Sequence, residues 1–506
     1  MAGRTSSATL RTKTGCFTCR ARRKKCTEEK PRCQKCTKSK RPCQWPNEAD
    51  LIDRRNRRAS SSPSSAAASP NVLSDEESTP SQGDDFLTLE KHPFFVCREI
   101  SVWSDPISAQ VFKSDLELAC FQKFMKDMLP IVILSNSHAG FQAQHLPELV
   151  EMMVDFGGLK NIALACGATR IAALSEVPEL SAAGLSFYAA AVTQVNHALV
   201  KVDWSNKESD DAILIAVIFL YIHGVFSVDT NKDIIKHLRG AIQLMKLRCA
   251  QSSRSPMRRP IHRIIWESIL YQVFRQAVRH PFRRDFQPDL EFCDTAFQVL
   301  GSLTFPEASP RDNSPVIGIP IELFDFIMRV SQLSRIQGTP DPEELKRLGK
   351  EVKEWERMII DETDCSNAES ASHDVSTPTG RSEVFHGHSI SLHVLATSLL
   401  LTWLKTSQET SARIDYMNLP PTNNTWQLRR ALRILSCPQA SKEWSKCYLG
   451  PWPALIFGYA VDNPDDVAVV RHDLQQRLVN LRCDDDLLLL YELEEVWRRR
   501  GIDGME

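Results

Sequence analysis

Six cysteines, Cys16, Cys19, Cys26, Cys33, Cys36 and Cys43, carry the clearest chemistry in this chain. They run C-x2-C-x6-C-x6-C-x2-C-x6-C, so residues 16–26 and 33–43 repeat one spacing. Thiolate is a soft ligand that suits tetrahedral Zn²⁺, and a C-x2-C turn can offer two sulfurs to one ion. Two four-coordinate ions need eight ligand positions, and the segment supplies six sulfurs. The shortfall closes if two sulfurs bridge. The alternative is a disulfide framework, or one Cys₄ site with two spare thiols.

The residues around these cysteines are cationic. Arg20, Arg22, Arg23, Lys24 and Lys25 fill five of the six positions between Cys19 and Cys26. Residues 1–60 hold 18 Lys/Arg against 5 Asp/Glu, a surplus of 13; the whole chain nets −1, so residues 61–506 sum to −14. A basic head on an acidic body points to a polyanion reached through the head. Arginine can pair bidentately with guanine O6 and N7, whereas phosphate contacts position without reading sequence.

With every cysteine in register, the segment resembles the fungal zinc binuclear cluster (Zn₂Cys₆) DNA-binding domain. The resemblance implies two Zn²⁺, with Cys16 and Cys33 bridging both. Cys19 and Cys26 would complete one tetrahedron, and Cys36 and Cys43 the other. It also implies a small domain of two short helices whose first helix enters the major groove of double-stranded DNA. That helix would read a CGG triplet from Arg22 and Arg23, with Arg20 and Lys25 on phosphates. Lys38, Lys40 and Arg41 are then solvated or phosphate-facing, and Pro31 matches the proline at which the family's loop turns.

The elements that hold this head follow from composition. Residues 1–14 form a basic tail and 15–45 the cluster. Residues 46–104, rich in Ser, Pro and Ala with basic and acidic stretches, cannot bury enough surface to offset chain entropy and should be disordered. Fifty such residues would span about 40 Å. Within them Arg54, Arg55, Arg57 and Arg58 suggest a nuclear import signal or a DNA arm, and Asp84–Glu90 mixes acidic and bulky apolar residues as activation segments do. No heptad run follows the cluster, so DNA binding as a monomer, or as a homodimer through the body, is expected.

From residue 105 to 506 the apolar spacing is helical almost throughout, with 366–381 reading as a disordered insertion. Asp341-Pro and Asn463-Pro mark helix starts. The run Ala212–Ile222 is the longest apolar stretch; eleven residues cannot span a bilayer, which needs about 20. The nine scattered cysteines outside the cluster look like free core thiols of a reducing compartment. The body resembles the all-α regulatory region of fungal transcription factors through His237–Ala241, Trp452–Gly458 and Glu494–Arg498. That implies dimerisation, effector response or repression.

The sequence up to Gly15 has no apolar core and does not read as a secretory leader. G-x-S-x-G, Walker, H-E-x-x-H and G-x-G-x-x-G patterns are absent, so no enzyme is expected. His386, His388 and His393 lack a companion ligand pattern. The reading is a nuclear, sequence-specific regulator of RNA polymerase II transcription. An activator of a metabolic or secondary-metabolite pathway, working with the transcription machinery or co-regulators, is the form favoured. A zinc-dependent adaptor without sequence specificity is the alternative.

Overall fold

The computed structural model describes residues 16–21, 26–30, 32–39, 43, 45, 112–134, 137–175, 178–201, 208–251, 259–278, 286–335, 340–369, 378–410, 419 and 425–503. The chain divides after Phe86 into two units, taken separately below. The first contains α1 (Phe17–Ala21) and α2 (Gln34–Lys38). The expected linker, 46–104, lies outside the described residues.

The second unit is helical, with no strand among the described residues. It opens with α3 (Asp115–Lys123), capped by Ser114, whose hydroxyl accepts the Glu117 N–H. A single helix over 112–129 is what the apolar spacing predicts. Instead a π-helical turn, Phe124–Met128, separates α3 from α4 (Leu129–Val132). The turn keeps both Phe124 and Met128 buried. Next come α5 (Ala139–Asp155), α6 (Gly157–Ser175) and α7 (Pro178–Lys201). Gly167 lets α6 approach α3 closely: a Cβ there would lie 1.9 Å from the Cys120 carbonyl oxygen.

At the centre lie α8 (Glu208–Val225) and α10 (Pro260–Val278), with α9 (Ile234–Gln251) between them in sequence. Every residue from Ala212 to Ile222 is at most 6% exposed. That run is therefore core packing on all sides, with α6, α7, α9 and α10 around it. Helix α10 is buried along nearly its whole length. A buried charge survives there when it is paired, as Glu267 is. Glu267 accepts from Arg263 Nε (2.8 Å), Ser314 Oγ (3.0 Å) and the backbone N–H groups of Val316 (2.9 Å) and Ile317 (3.1 Å).

The remaining elements are α11 (Leu290–Leu300), α12 (Ile321–Leu333), α13 (Pro342–Glu369), α14 (Pro378–Thr410), α15 (Trp426–Ser436), α16 (Pro438–Trp444), α17 (Pro451–Ala460), α18 (Pro464–Leu481) and α19 (Asp484–Arg500). Helix α14 packs against α12, α13, α15, α16 and α17. The insertion expected at 366–381 overlaps residues outside the described ones. Helix α13 runs through Glu369 and α14 starts at Pro378, leaving 370–377 outside the described residues. The Asn463 cap at the start of α18 accepts the Asp466 N–H, as Asn-Pro-Asp-Asp spacing predicts. Among the described residues no helix is long and apolar enough to cross a membrane.

Candidate metal centre and nucleic-acid interface

Each short helix of the first unit begins at a C-x2-C turn, and each turn uses sulfur as its cap. Cys33 is extended (φ −66°, ψ 146°), and its sulfur accepts the Cys36 N–H at 3.4 Å. The Cys16 sulfur accepts the Cys19 N–H at the same 3.4 Å. Backbone donors aimed at sulfur favour the thiolate, which is the metal-binding form. Two further N–H groups serve the outer sulfurs, Cys33 N–H to Cys43 Sγ (3.4 Å) and Glu28 N–H to Cys26 Sγ (3.5 Å).

The sulfurs converge. Cys16 Sγ lies 3.8 Å from both Cys33 Sγ and Cys36 Sγ, while Cys19 Sγ lies 3.7 Å from Cys33 Sγ and 3.9 Å from Cys36 Sγ. Two sulfurs on one tetrahedral Zn²⁺, each about 2.3 Å from it, stand about 3.8 Å apart. Two quartets, Cys16-Cys19-Cys26-Cys33 and Cys16-Cys33-Cys36-Cys43, each keep all their sulfurs within 4.8 Å of one another. Cys16 and Cys33 belong to both. A soft, closed donor set at tetrahedral spacing fits zinc.

Zinc, when bound, supplies the cross-link and positive charge that so short a segment cannot draw from a hydrophobic core. Without a cation the crowded thiols resist ionising together. Burial pushes Cys16, Cys19 and Cys36 up, Cys36 to about 12. Burial also opposes ionisation of Cys33, but the Cys36 N–H and the adjoining sulfurs bring that thiol down to about 6.

Around the sulfurs the structure adds residues to which the sequence reading gave no role. Trp45 packs against the cysteine cluster, with Lys30 Nζ 5.8 Å from its ring centroid. The Gln34 N–H donates to Thr27 Oγ1 (3.1 Å), and Gln34 Nε2 to Glu29 Oε1 (3.1 Å), tying the inter-half loop to the start of α2. Glu28 takes the left-handed backbone (φ 60°) within that loop. An aromatic residue two positions beyond the last cysteine was the available signal for Trp45.

The backbone of Arg20 lies in α1; its side chain, and Arg22, Arg23 and Lys25, lie outside the described residues. So do Arg54, Arg55, Arg57, Arg58, Lys40 and Arg41. Lys30, Arg32, Lys35 and Lys38 are exposed cations on the same unit. In the second unit His393 is buried, with Nδ1 2.8 Å from the Ser389 carbonyl oxygen, and burial brings its pKa down to about 4. The His386 side chain lies outside the described residues.

Residues 14–50 match the fungal Zn(2)-Cys(6) binuclear cluster domain, and residues 119–505 match the fungal specific transcription factor domain. No curated protein and no solved structure matches the chain.

Proposed function

This chain belongs to the fungal specific transcription factor family, a DNA-binding, zinc-carrying regulator of transcription, and from that premise we propose how it reads its target. Two Zn²⁺ occupy the two sulfur quartets, with Cys16 and Cys33 shared between them. The observation that carries this is the pair of quartets with two members in common. The metal core fixes α1, so that the cations following Cys19 leave it in one direction. Rigid placement is what turns a cationic patch into a base reader.

Arg22 and Arg23 read a CGG-type triplet in the major groove, each able to grip guanine O6 and N7. Arg20 and Lys25 hold phosphates. The linker over 46–104 gives reach, its Arg54–Arg58 run serves nuclear import or a DNA arm, and the helical body receives the regulatory input. The protein acts in the nucleus on RNA polymerase II promoters, as an activator of a metabolic or secondary-metabolite pathway. A homodimer joined through the body, engaging co-regulators, would set triplet spacing in place of a coiled coil. The family assignments are those of regulators rather than enzymes.

Selection of randomised duplex DNA by the zinc-loaded full chain tests the reading. CGG should be enriched, as one triplet for a monomer or two at fixed spacing for a dimer. Arg23→Ala should cost roughly 1–3 kcal/mol on the selected site and little on scrambled DNA. Salt-sensitive binding with no enriched sequence would overturn the proposal and leave the adaptor.

A further inference from the structure

Helices α16 and α18 both pack against α15, and an open groove of about 610 Å³ runs between them. Its long wall is one face of α18, where Ala468, His472, Gln476 and Asn480 recur every fourth residue. Three such steps make a wall about 18 Å long. The facing wall carries Pro438, Lys442 and Lys446, again four residues apart. The walls are tied down near both ends of α18. Arg429 on α15 grips Asp466 through two bonds (2.7 and 3.1 Å), and Asn480 Nδ2 donates to Ser445 Oγ (2.9 Å). The groove is thus formed before anything enters it, which lowers the ordering cost of binding.

Its charge departs from that of its surroundings. Residues 61–506 sum to −14, yet the groove is lined by the exposed Lys442, Lys446 and His472 and, among the described residues, by no carboxylate. Leu435 and Val469 add apolar surface between the walls. We infer that the groove docks an acidic peptide bearing bulky apolar side chains, presented by a partner protein. Carboxylates of the peptide meet the two lysines, and its apolar side chains settle on Leu435 and Val469. The wall seats about five extended residues at about 3.3 Å each, or about three turns of helix. A small-molecule site encloses roughly 70–90% of its ligand, whereas Pro438, Lys442, Lys446, Ala468 and His472 leave this groove open to solvent along its length. A long open trough suits a chain better than a metabolite. A nucleic acid, unlike a short peptide, would also have to lie along the negatively charged body. The groove lies wholly within the second unit, so docking does not depend on how the zinc cluster reads DNA.

A fluorescein-labelled peptide with the sequence of residues 84–90, Asp-Asp-Phe-Leu-Thr-Leu-Glu, has the required chemistry. Its anisotropy with the zinc-loaded full chain should show saturable binding that weakens as salt rises. Lys442→Glu with Lys446→Glu reverses two exposed charges and should weaken binding roughly tenfold at an unchanged Tm. Lys442→Gln with Lys446→Gln carries the test if the reversal lowers the Tm. Peptides with Asn and Gln for the acids, or with Ser for Phe and Leu, should each bind more weakly than the parent. Absence of saturable binding would overturn the proposal. So would equal affinity for the K442E/K446E chain, which would put the peptide on the basic head instead. Deleting residues 84–90 from the protein should leave the affinity unchanged. A large gain on deletion would make that segment the groove's occupant in place of a partner, and would overturn the assignment.

Discussion

Replacing Glu267 by alanine should be among the most damaging single changes to the helical body. Glu267 is 0% exposed and Arg263, which it pairs with, 1% exposed. Burial raises the Glu267 pKa, yet all four of its contacts are donors, so the ionised carboxylate is the form they satisfy. Removing it strands a buried guanidinium, left among the described residues with the Ser302 carbonyl oxygen at 2.7 Å, and frees the N–H groups of Val316 and Ile317. Breaking a buried ion pair from one side costs roughly 3–5 kcal/mol, a large share of the roughly 5–15 kcal/mol that holds a domain together. Glu267→Gln keeps the volume but turns an NH₂ toward donors in either orientation, and should cost about half the alanine loss or more. Denaturant unfolding at fixed zinc, read as a midpoint shift at constant slope, measures both. A loss below about 1 kcal/mol for E267A would place it among ordinary surface substitutions and refute the reasoning.

The metal core and the buried carboxyl group of Asp486 yield two further expectations. Cys16→Ala removes a sulfur common to both quartets and Cys26→Ala one belonging to a single quartet; zinc per chain, measured by elemental analysis, should fall further for the first, and equal losses would argue against sharing. Burial, followed by the opposing charge of Arg275 and Arg477 and the like charge of Asp485 and Asp473, leaves Asp486 raised to about 6. Its folded form thus holds a proton more tightly than the unfolded chain, so its contribution is fully favourable below about pH 4 and lost as pH rises through 6. Asp486→Asn should therefore be more stable than wild type by about 3 kcal/mol at pH 7.5, with the gap closing toward pH 4. A gap that does not change with pH would show that Asp486 does not titrate in this window.

The cysteines were legible because zinc imposes a spacing on sequence, and the structure's shared quartets repeat that spacing in space. Helices such as α15 and α18 were legible through their periodicity and caps, since Leu428, Ala431, Leu432 and Leu435 line one face of α15 and Asn463 caps α18. Helix α17 was not read as a helix. Nine of its ten residues, Trp452–Ala460, are buried, so no polar face marks a period, and Pro451 and Pro453 resemble loop punctuation. The buried charges were hidden for another reason. Asp485 and Asp486 occupy the first turn of α19, where acidic residues ordinarily sit in solvent against the helix dipole. Only the fold brings Arg275, 210 residues earlier, against Asp485.

Helix α10 is thereby bound by its polar residues to partners spread over the rest of the body: Arg263 to Ser302, Glu267 to Val316, Tyr271 to Tyr448 and Arg275 to Asp485. Arg170 on α6 likewise donates to the carbonyl oxygens of Asn480 and Leu481, some 310 residues later. A ribosome has delivered most of the chain before these early helices can meet the groups that neutralise them. Until α19 emerges, Arg275 can enter the interior only as an unpaired cation, so folding of the body must wait on its last helix. A premature stop ahead of Asp484 should then leave a chain for the quality-control machinery, rather than a shortened regulator that still closes its core.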